Sequence, residues 1–268
     1  MLKLGLIGCG KMGGALLRGV EKNLGKGNLS VALSDVVPQA VEALKKDLKC
    51  AVTTDTPAEV AAQSDVVLLA VKPADMKALC EGLAKVKGSR LYLSIAAGLT
   101  LADLEAWLGV KQRVIRSMPN TPALVGAGAA AFSRGSKATD ADAESARTIL
   151  GAVGTVDEVA EKLLDAVTGL SGSGPAYGYA IIEALADGGV LMGLPRAAAI
   201  RLAAQTMAGA AKMVLDTGKH TGTLRDEVTS PGGTTIAGLE QLEAHGLRNA
   251  LIQAVRKATE RATELGKK

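Results

Sequence analysis

The sequence predicts an α/β fold, a doubly wound parallel sheet followed by an all-helical second domain, and three observations carry that prediction. Short apolar runs recur through the first 160 residues with helical patterns between them, the alternation of βαβ units. The first run ends in Gly8-Cys9-Gly10-Lys11-Met12-Gly13, a glycine-rich turn opening a helix. From Ala160 onward every pattern is helical.

Taken in order, Leu4-Gly5-Leu6-Ile7 is an apolar run suited to a buried parallel strand. Lys11 to Leu24 places Met12, Leu16, Leu17 and Val20 at helical spacing. Val31-Ala32-Leu33 is the next strand and Pro38 to Leu48 the next helix. Val66 to Ala70 and Leu91 to Ile95 are strands separated by a helix from Asp75 to Val86. Leu101 to Leu108 is a short helix, and Arg113 to Arg116 a further strand.

After Pro119 the rhythm changes. Ala127 to Phe132 is a strand of small residues, and Thr139 with Asp142 forms a capping box that starts a helix. Val153 to Val159 is the last strand. This places a dinucleotide-binding domain at 1–160 and a helical domain at 161–268. In the second domain Pro195 sits at a first helical position and Gly218 ends that helix. Its helices carry Ala176, Gly178, Ala180, Ala184, Ala186, Gly188 and Gly189, small faces that permit close approach. So few bulky groups favour a dimer that completes the core over a self-contained bundle.

Composition narrows the function. Of 268 residues, 48% are hydrophobic but only 2% aromatic, so aliphatic side chains fill the core. Nucleic-acid binders use aromatic platforms and clustered cations. Here 31 basic and 27 acidic residues are interspersed, and the net charge of +4 steers towards neither nucleic acid nor membrane. Lys267-Lys268 reads as a solvated tail. Cys9, Cys50 and Cys80 lack metal-ligand spacing and fit a reducing compartment, so no metal is expected. Met1 runs straight into a strand pattern, so no signal peptide is expected, and no run approaches the roughly 20 apolar residues of a membrane span. A soluble, cytoplasmic protein is the expectation.

Gly8, Gly10 and Gly13 stand in the context that a Rossmann-like dinucleotide site requires, strand before and helix after. The alternative is a structural turn alone. Cys9 between them is a small side chain, whose place near a helix start would lower its pKa if it were exposed. Asp35 ends the second strand 22 residues beyond Gly13. A carboxylate there would bond ribose hydroxyls and repel a 2′-phosphate, whereas the adjacent Ser34 would accept that phosphate if Asp35 pointed away. NADH and NADPH both stay open. Lys72, in Ala70-Val71-Lys72-Pro73, follows a strand at the end where such sheets bind ligands; a solvated loop lysine is the equal alternative.

The only histidines are His220 and His245, both late in the chain, and no lysine occurs from Leu163 to Ala211. An alcohol dehydrogenase needs a strong base for the alcohol proton. Reduction of a C=N bond is less demanding, so an imine is the better substrate. Ser230-Pro231-Gly232-Gly233-Thr234-Thr235 interrupts a helical pattern that resumes at once. Amides opening a helix lack intrahelical partners and suit a carboxylate or phosphate. Gly169 to Tyr177 is a third glycine-rich segment, serving either the cleft or close helix packing.

These segments together resemble the pyrroline-5-carboxylate reductase family across essentially the whole chain. The resemblance rests on Gly8 to Gly13, Ala70 to Pro73, Ser94-Ile95-Ala96-Ala97-Gly98 and Met118-Pro119-Asn120-Thr121-Pro122. It is most specific from Asp165 through Tyr177 and at Ser230 to Thr235. It implies reduction of 1-pyrroline-5-carboxylate to L-proline with NADPH or NADH, and a helical domain interleaved in a dimer, often assembled into a decamer. It implies that Ser230, Gly232, Gly233, Thr234 and Thr235 hold the substrate carboxylate, with Thr235 bonding the ring nitrogen. Glu161 and Ala97 match positions near the substrate; Lys72 matches one near cofactor and substrate. Gly8, Cys9, Gly10, Lys11, Met12, Gly13, Ser34, Asp35, Ala70, Val71, Pro73 and Ala96 form the expected cofactor side. Pro57 stands where relatives often carry an asparagine near the adenine ribose, and Glu227 where some carry one reaching the cofactor across the dimer, so both depart from the resemblance at the adenosine end. The alternatives are a reductase of another cyclic imine or small 2-hydroxy acid, and a non-catalytic NAD(P)-binding regulator.

Overall fold

In the computed structural model, which describes residues 1–266, the apolar runs become one eight-stranded sheet. The strands are β1 (Leu2–Ile7), β2 (Leu29–Ser34), β3 (Ala51–Thr54), β4 (Val66–Leu69), β5 (Leu91–Ser94), β6 (Arg113–Met118), β7 (Gly128–Arg134) and β8 (Gly154–Glu158). Between them lie α1 (Lys11–Leu24), α2 (Pro38–Asp47), α3 (Pro57–Ala62), α4 (Pro73–Leu83), α5 (Leu101–Leu108) and α6 (Asp140–Gly151). The strand order is β3-β2-β1-β4-β5-β6-β7-β8. Lys267-Lys268, read above as a tail, lies outside the described residues.

Alternation along each strand feeds two separate cores. Leu4, Leu6, Val66, Leu68, Leu91 and Leu93 pack with α1, α2 and α6. Val67, Leu69 and Tyr92, one residue out of phase, pack with α3, α4 and α5. Side chains of period two on strands buried on both faces require this division. The doubly wound expectation therefore holds, with one correction: β7 runs antiparallel to β6, and β8 follows β7. Only a single 3₁₀ turn, Thr121–Val125, separates β6 from β7. A parallel return needs a crossover of about a dozen residues or more, so this short link reverses the strand.

The helix signals are local and mostly hold. Thr139 and Asp142 exchange both bonds of a capping box at the start of α6. β3 and α3 are elements the sequence did not announce: β3 is a four-residue edge strand, mostly exposed, with no apolar alternation.

By contacts the chain divides into Met1–Ser173 with the residues from Lys257, and Gly174–Arg256. The first unit thus extends past residue 160, through α7 (Leu164–Val167) and a π-helical turn, Thr168–Gly172. In the second, α8 (Gly174–Leu191) packs on α9 (Arg196–Thr217), followed by α10 (Thr221–Glu227) and α11 (Thr234–Ala244); α12 (Leu247–Gly266) begins there. Pro195 is the residue before α9 rather than its first, and Gly218 ends that helix in the left-handed conformation, φ 63°.

The core of the second unit is Ala186, Ala199 and Ala203, with Ile182 and Val190 against it. Leu191, Met192 and Leu215 are 85%, 83% and 70% exposed. Three buried alanines cannot offset the chain entropy of ordering these helices. This unit requires a covering partner.

Candidate active site

Each glycine of the first loop has its own physical reason. Gly8 has φ 100°, and a Cβ there would lie 2.6 Å from the Ala70 carbonyl. A Cβ on Gly13 would lie 2.5 Å from the Gly8 oxygen and 2.9 Å from Leu6 Cδ1. Turn and helix–sheet contact thus account for these two within the chain. Gly10 is different: its φ is −70°, and a Cβ would meet no atom within 4 Å. No neighbouring atom inside the protein demands glycine there.

Gly10 caps α1 without a side-chain bond, leaving the amides of Lys11, Met12 and Gly13 without intrahelical acceptors. Beside it opens a cavity of about 630 Å³ lined by Gly8, Gly10, Ser34, Asp35, Ala70, Val71 and Lys72, among others. Its size suits a ligand of cofactor class. Lys72 is exposed and precedes α4, whose first residue is Pro73; no carboxylate pairs with Lys72 among the described residues. Pro57 also lines the cavity.

Two expectations change. Asp35 lines the cavity, but its carboxylate accepts the Cys9 amide at 2.6 Å and the Val37 amide at 2.8 Å. It braces the glycine loop against the end of β2 rather than standing free. Cys9 is buried, and burial together with the Asp35 charge pushes its thiol up to about 12. The lowered pKa that exposure would bring is therefore absent, because no exposure exists. Burial likewise holds Cys80 at about 12, and Cys50 at about 11. An unfolded thiol ionises near 9.0 while these stay protonated in the fold. Between about pH 9 and 12 the unfolded state binds fewer protons, so stability falls as pH rises. We expect the thermal midpoint to decline across that window and the decline to flatten in Cys9→Ala. A slope identical in the variant would contradict the burial.

After β5, Ala96 is buried, its amide donating to Ser94 Oγ at 3.3 Å, and Ala97 is exposed beside Gly98, φ 77°. Glu161 lies in a 3₁₀ turn and accepts from the Leu101 amide at 2.6 Å and from Arg116 at 3.1 Å. Arg116, 9% exposed, also pairs with Asp165 at 3.5 Å. Sequence reasoning read Arg116 only as a strand residue; a guanidinium in a central strand was the available signal. Asn120 likewise joins distant backbone, donating to the Ser171 carbonyl at 3.0 Å and accepting from Ala129 at 2.9 Å. Gly172 in the third glycine segment packs against Met118, where a Cβ would lie 2.8 Å from its Cε. Packing explains that glycine.

In the second unit, Gly232 takes φ 66° and Gly233 caps α11 with no side-chain bond. The Gly233 amide donates to the Ser230 carbonyl at 3.1 Å and is not available to a ligand. The open donors are one residue further on, at Thr234, Thr235 and Ile236, where the first turn has no acceptor. No acidic residue stands in that turn to compete for an anion. The Thr235 hydroxyl has no partner among the described residues, whereas Thr217 and Thr229 return theirs to carbonyls four residues back. A groove of about 650 Å³ is lined by Gly232, Gly233 and Ile236 of this segment together with Arg225, Asp226, Glu240 and Glu243, and neither Ser230 nor Thr235 lines it. His220 caps α10 through Nδ1, a turn role, and Glu227 pairs with Lys219.

Comparison with known proteins gives the family. Residues 161–265 match the family model for pyrroline-5-carboxylate reductase dimerisation, and residues 3–98 one described as NADP oxidoreductase, coenzyme F420-dependent. The pyrroline-5-carboxylate reductase of Methanosarcina acetivorans is 46% identical over 267 residues, covering 99% of this chain and 98% of that protein. The structure of a pyrroline-5-carboxylate reductase from Coxiella burnetii aligns with a TM-score of 0.92 at 35% identity, covering 98% of each chain. That of Plasmodium falciparum pyrroline carboxylate reductase with NADP bound gives 0.82 at 31%, covering 99% of this chain and 98% of the other. With identity of this level running the full length of both domains, the chain belongs to the pyrroline-5-carboxylate reductase family.

Proposed function

We propose that this protein reduces 1-pyrroline-5-carboxylate to L-proline with NADPH or NADH. The observation that carries the reading is the start of α11, where three open amides stand beside an unpartnered Thr235 hydroxyl. A dinucleotide-binding regulator has no use for a second anion site, and the start of α11 presents amides and a hydroxyl, which suit an imine better than an alcohol that must lose a proton to a strong base.

The residues present fit a nicotinamide dinucleotide, since the space above Gly10 is one a Cβ would fill. The cofactor would supply the hydride. Gly8 to Gly13 would receive the pyrophosphate at the amino end of α1, with Ser34, Asp35 and Ala70 to Pro73 around the rest of the cavity. Ala96 and Ala97 would flank the nicotinamide half. Ser230 and Gly232 shape the substrate loop, and the amides of Thr234 to Ile236 neutralise the substrate carboxylate. Thr235 orients the ring nitrogen, while Lys72 and Glu161 add charge near the reacting groups. Most of the rate then comes from positioning and fixed dipoles. Residues 1–160 serve the cofactor and residues 161–268 the substrate and self-association, in the cytoplasm, with no nucleic acid or membrane partner.

The test is oxidation of NADPH or NADH by the purified protein with 1-pyrroline-5-carboxylate, other cyclic imines and 2-oxo acids offered in parallel. Turnover confined to the pyrroline supports the reading, and none with any substrate overturns it. For assembly, we propose a dimer covering the exposed helices of the second unit, five dimers forming a decamer. An obligate interface of this kind buries over about 2,000 Å². Light scattering at low micromolar concentration should return a dimer or a multiple of it. An active monomer would contradict this.

A further inference from the structure

The loop between β5 and α5, with Ala97 exposed at its tip, is held at its β5 end by β6 and at its α5 end by a carboxylate that the buried Arg116 of β6 anchors. Arg116 lies in register beside Ser94, the last residue of β5, and the neighbouring Ser117 hydroxyl donates to the Ser94 carbonyl at 2.9 Å. Its guanidinium holds Glu161 at 3.1 Å, and the same Oε1 of Glu161 accepts the Leu101 amide at 2.6 Å, where the loop enters α5. The other arm of Arg116 reaches Asp165, whose Oδ2 accepts the Thr263 hydroxyl at 2.9 Å. Thr263 belongs to the part of α12 counted with this unit, and a Cβ on Gly266 would lie 3.6 Å from the Gly98 carbonyl. The exit of this loop into α5 and the last helix are thus linked through the Arg116 side chain, while its entry is held by the β5–β6 ladder and Ser117.

We propose that Arg116 is a positioning residue for hydride transfer. It fixes the Ala96-Ala97-Gly98 loop by holding Glu161 against the start of α5, and it links that loop to the last helix through Asp165. The inference rests on the proposed reductase reading, in which this loop flanks the nicotinamide half. Arginine is required because its fork reaches two carboxylates at once, which an ammonium does not match. Both bonds to Glu161 fall on Oε1, leaving Oε2 without a protein donor among the described residues. The cavity around Gly10 does not include this network, so dinucleotide affinity should be spared.

The experiment compares wild type, Arg116→Gln, Arg116→Lys, Glu161→Gln and the double variant Arg116→Gln/Glu161→Gln. It measures kcat, KM for the pyrroline, dinucleotide affinity by fluorescence titration, and thermal midpoint. Loss of alignment by about an ångström costs on the order of a hundredfold, so Arg116→Gln should lower kcat by about tenfold to a hundredfold. Dinucleotide affinity should stay within about twofold, and Arg116→Lys should recover part of the turnover. Because Arg116 acts on this loop through Glu161, the double variant should lose less than the product of the two single losses. A folded Arg116→Gln enzyme with wild-type kcat, or losses that multiply in the double variant, would overturn the proposal. If Arg116→Gln does not fold, Arg116→Lys decides: unchanged turnover overturns the proposal, and reduced turnover at unchanged dinucleotide affinity supports it. Wild type inactive on the pyrroline would strike the reductase reading instead.

Discussion

Gly10→Val is expected to remove measurable dinucleotide binding while leaving the protein folded. The backbone at Gly10 has φ −70°, which any residue adopts, and a Cβ there meets no atom within 4 Å. A Cβ at this position therefore brings neither backbone strain nor a clash inside the chain. Its branched side chain would instead occupy the space through which a phosphate reaches the amides of α1. Gly8 offers no such probe, because φ 100° and the Ala70 backbone at 2.6 Å make any side chain a folding defect. Calorimetric titration with NADPH and NADH, beside a thermal melt, checks the expectation. Unchanged affinity in a folded Gly10→Val protein would move the cofactor elsewhere.

Thr235→Ala should reduce turnover on the pyrroline selectively. The carboxylate donors are the backbone amides of Thr234 to Ile236, which alanine keeps. Only the hydroxyl is lost, and it has no structural partner to strand. Removing one donor where charge develops costs about 3 kcal/mol of barrier, on the order of a hundredfold in rate. Dinucleotide affinity should barely move, because the cavity around Gly10 contains no residue of α11. Steady-state kinetics with a separate dinucleotide titration read the two quantities apart. Wild-type turnover in Thr235→Ala would show that the hydroxyl takes no part in the reaction.

Where a feature depends on consecutive residues, it was legible. The β–α alternation, the glycine loop before α1, the Thr139 capping box and the Gly218 helix end are each decided within a few positions, by side-chain period or backbone sterics. The break at Ser230 to Thr235 was equally visible, as was the shortage of bulky residues in the second domain. The edge strand β3 was not, because an exposed strand has no buried face to impose alternation.

By itself, then, the sequence determined the fold class, the two anion-ready loops and the family. The tertiary structure decided what each polar group at those loops is free to do. The sequence left open which way Asp35 faces, and the fold ties its carboxylate to the Cys9 and Val37 amides; the Gly233 amide, open by its position in the sequence, donates to the Ser230 carbonyl. Cys9 was decided by burial, and the Arg116–Glu161–Asp165 network by three segments meeting at the end of β6. Whether a charge or amide is spent depends on neighbours in space, often dozens of residues away along the chain. Local pattern carries backbone geometry, but desolvation and pairing exist only once the chain has closed on itself.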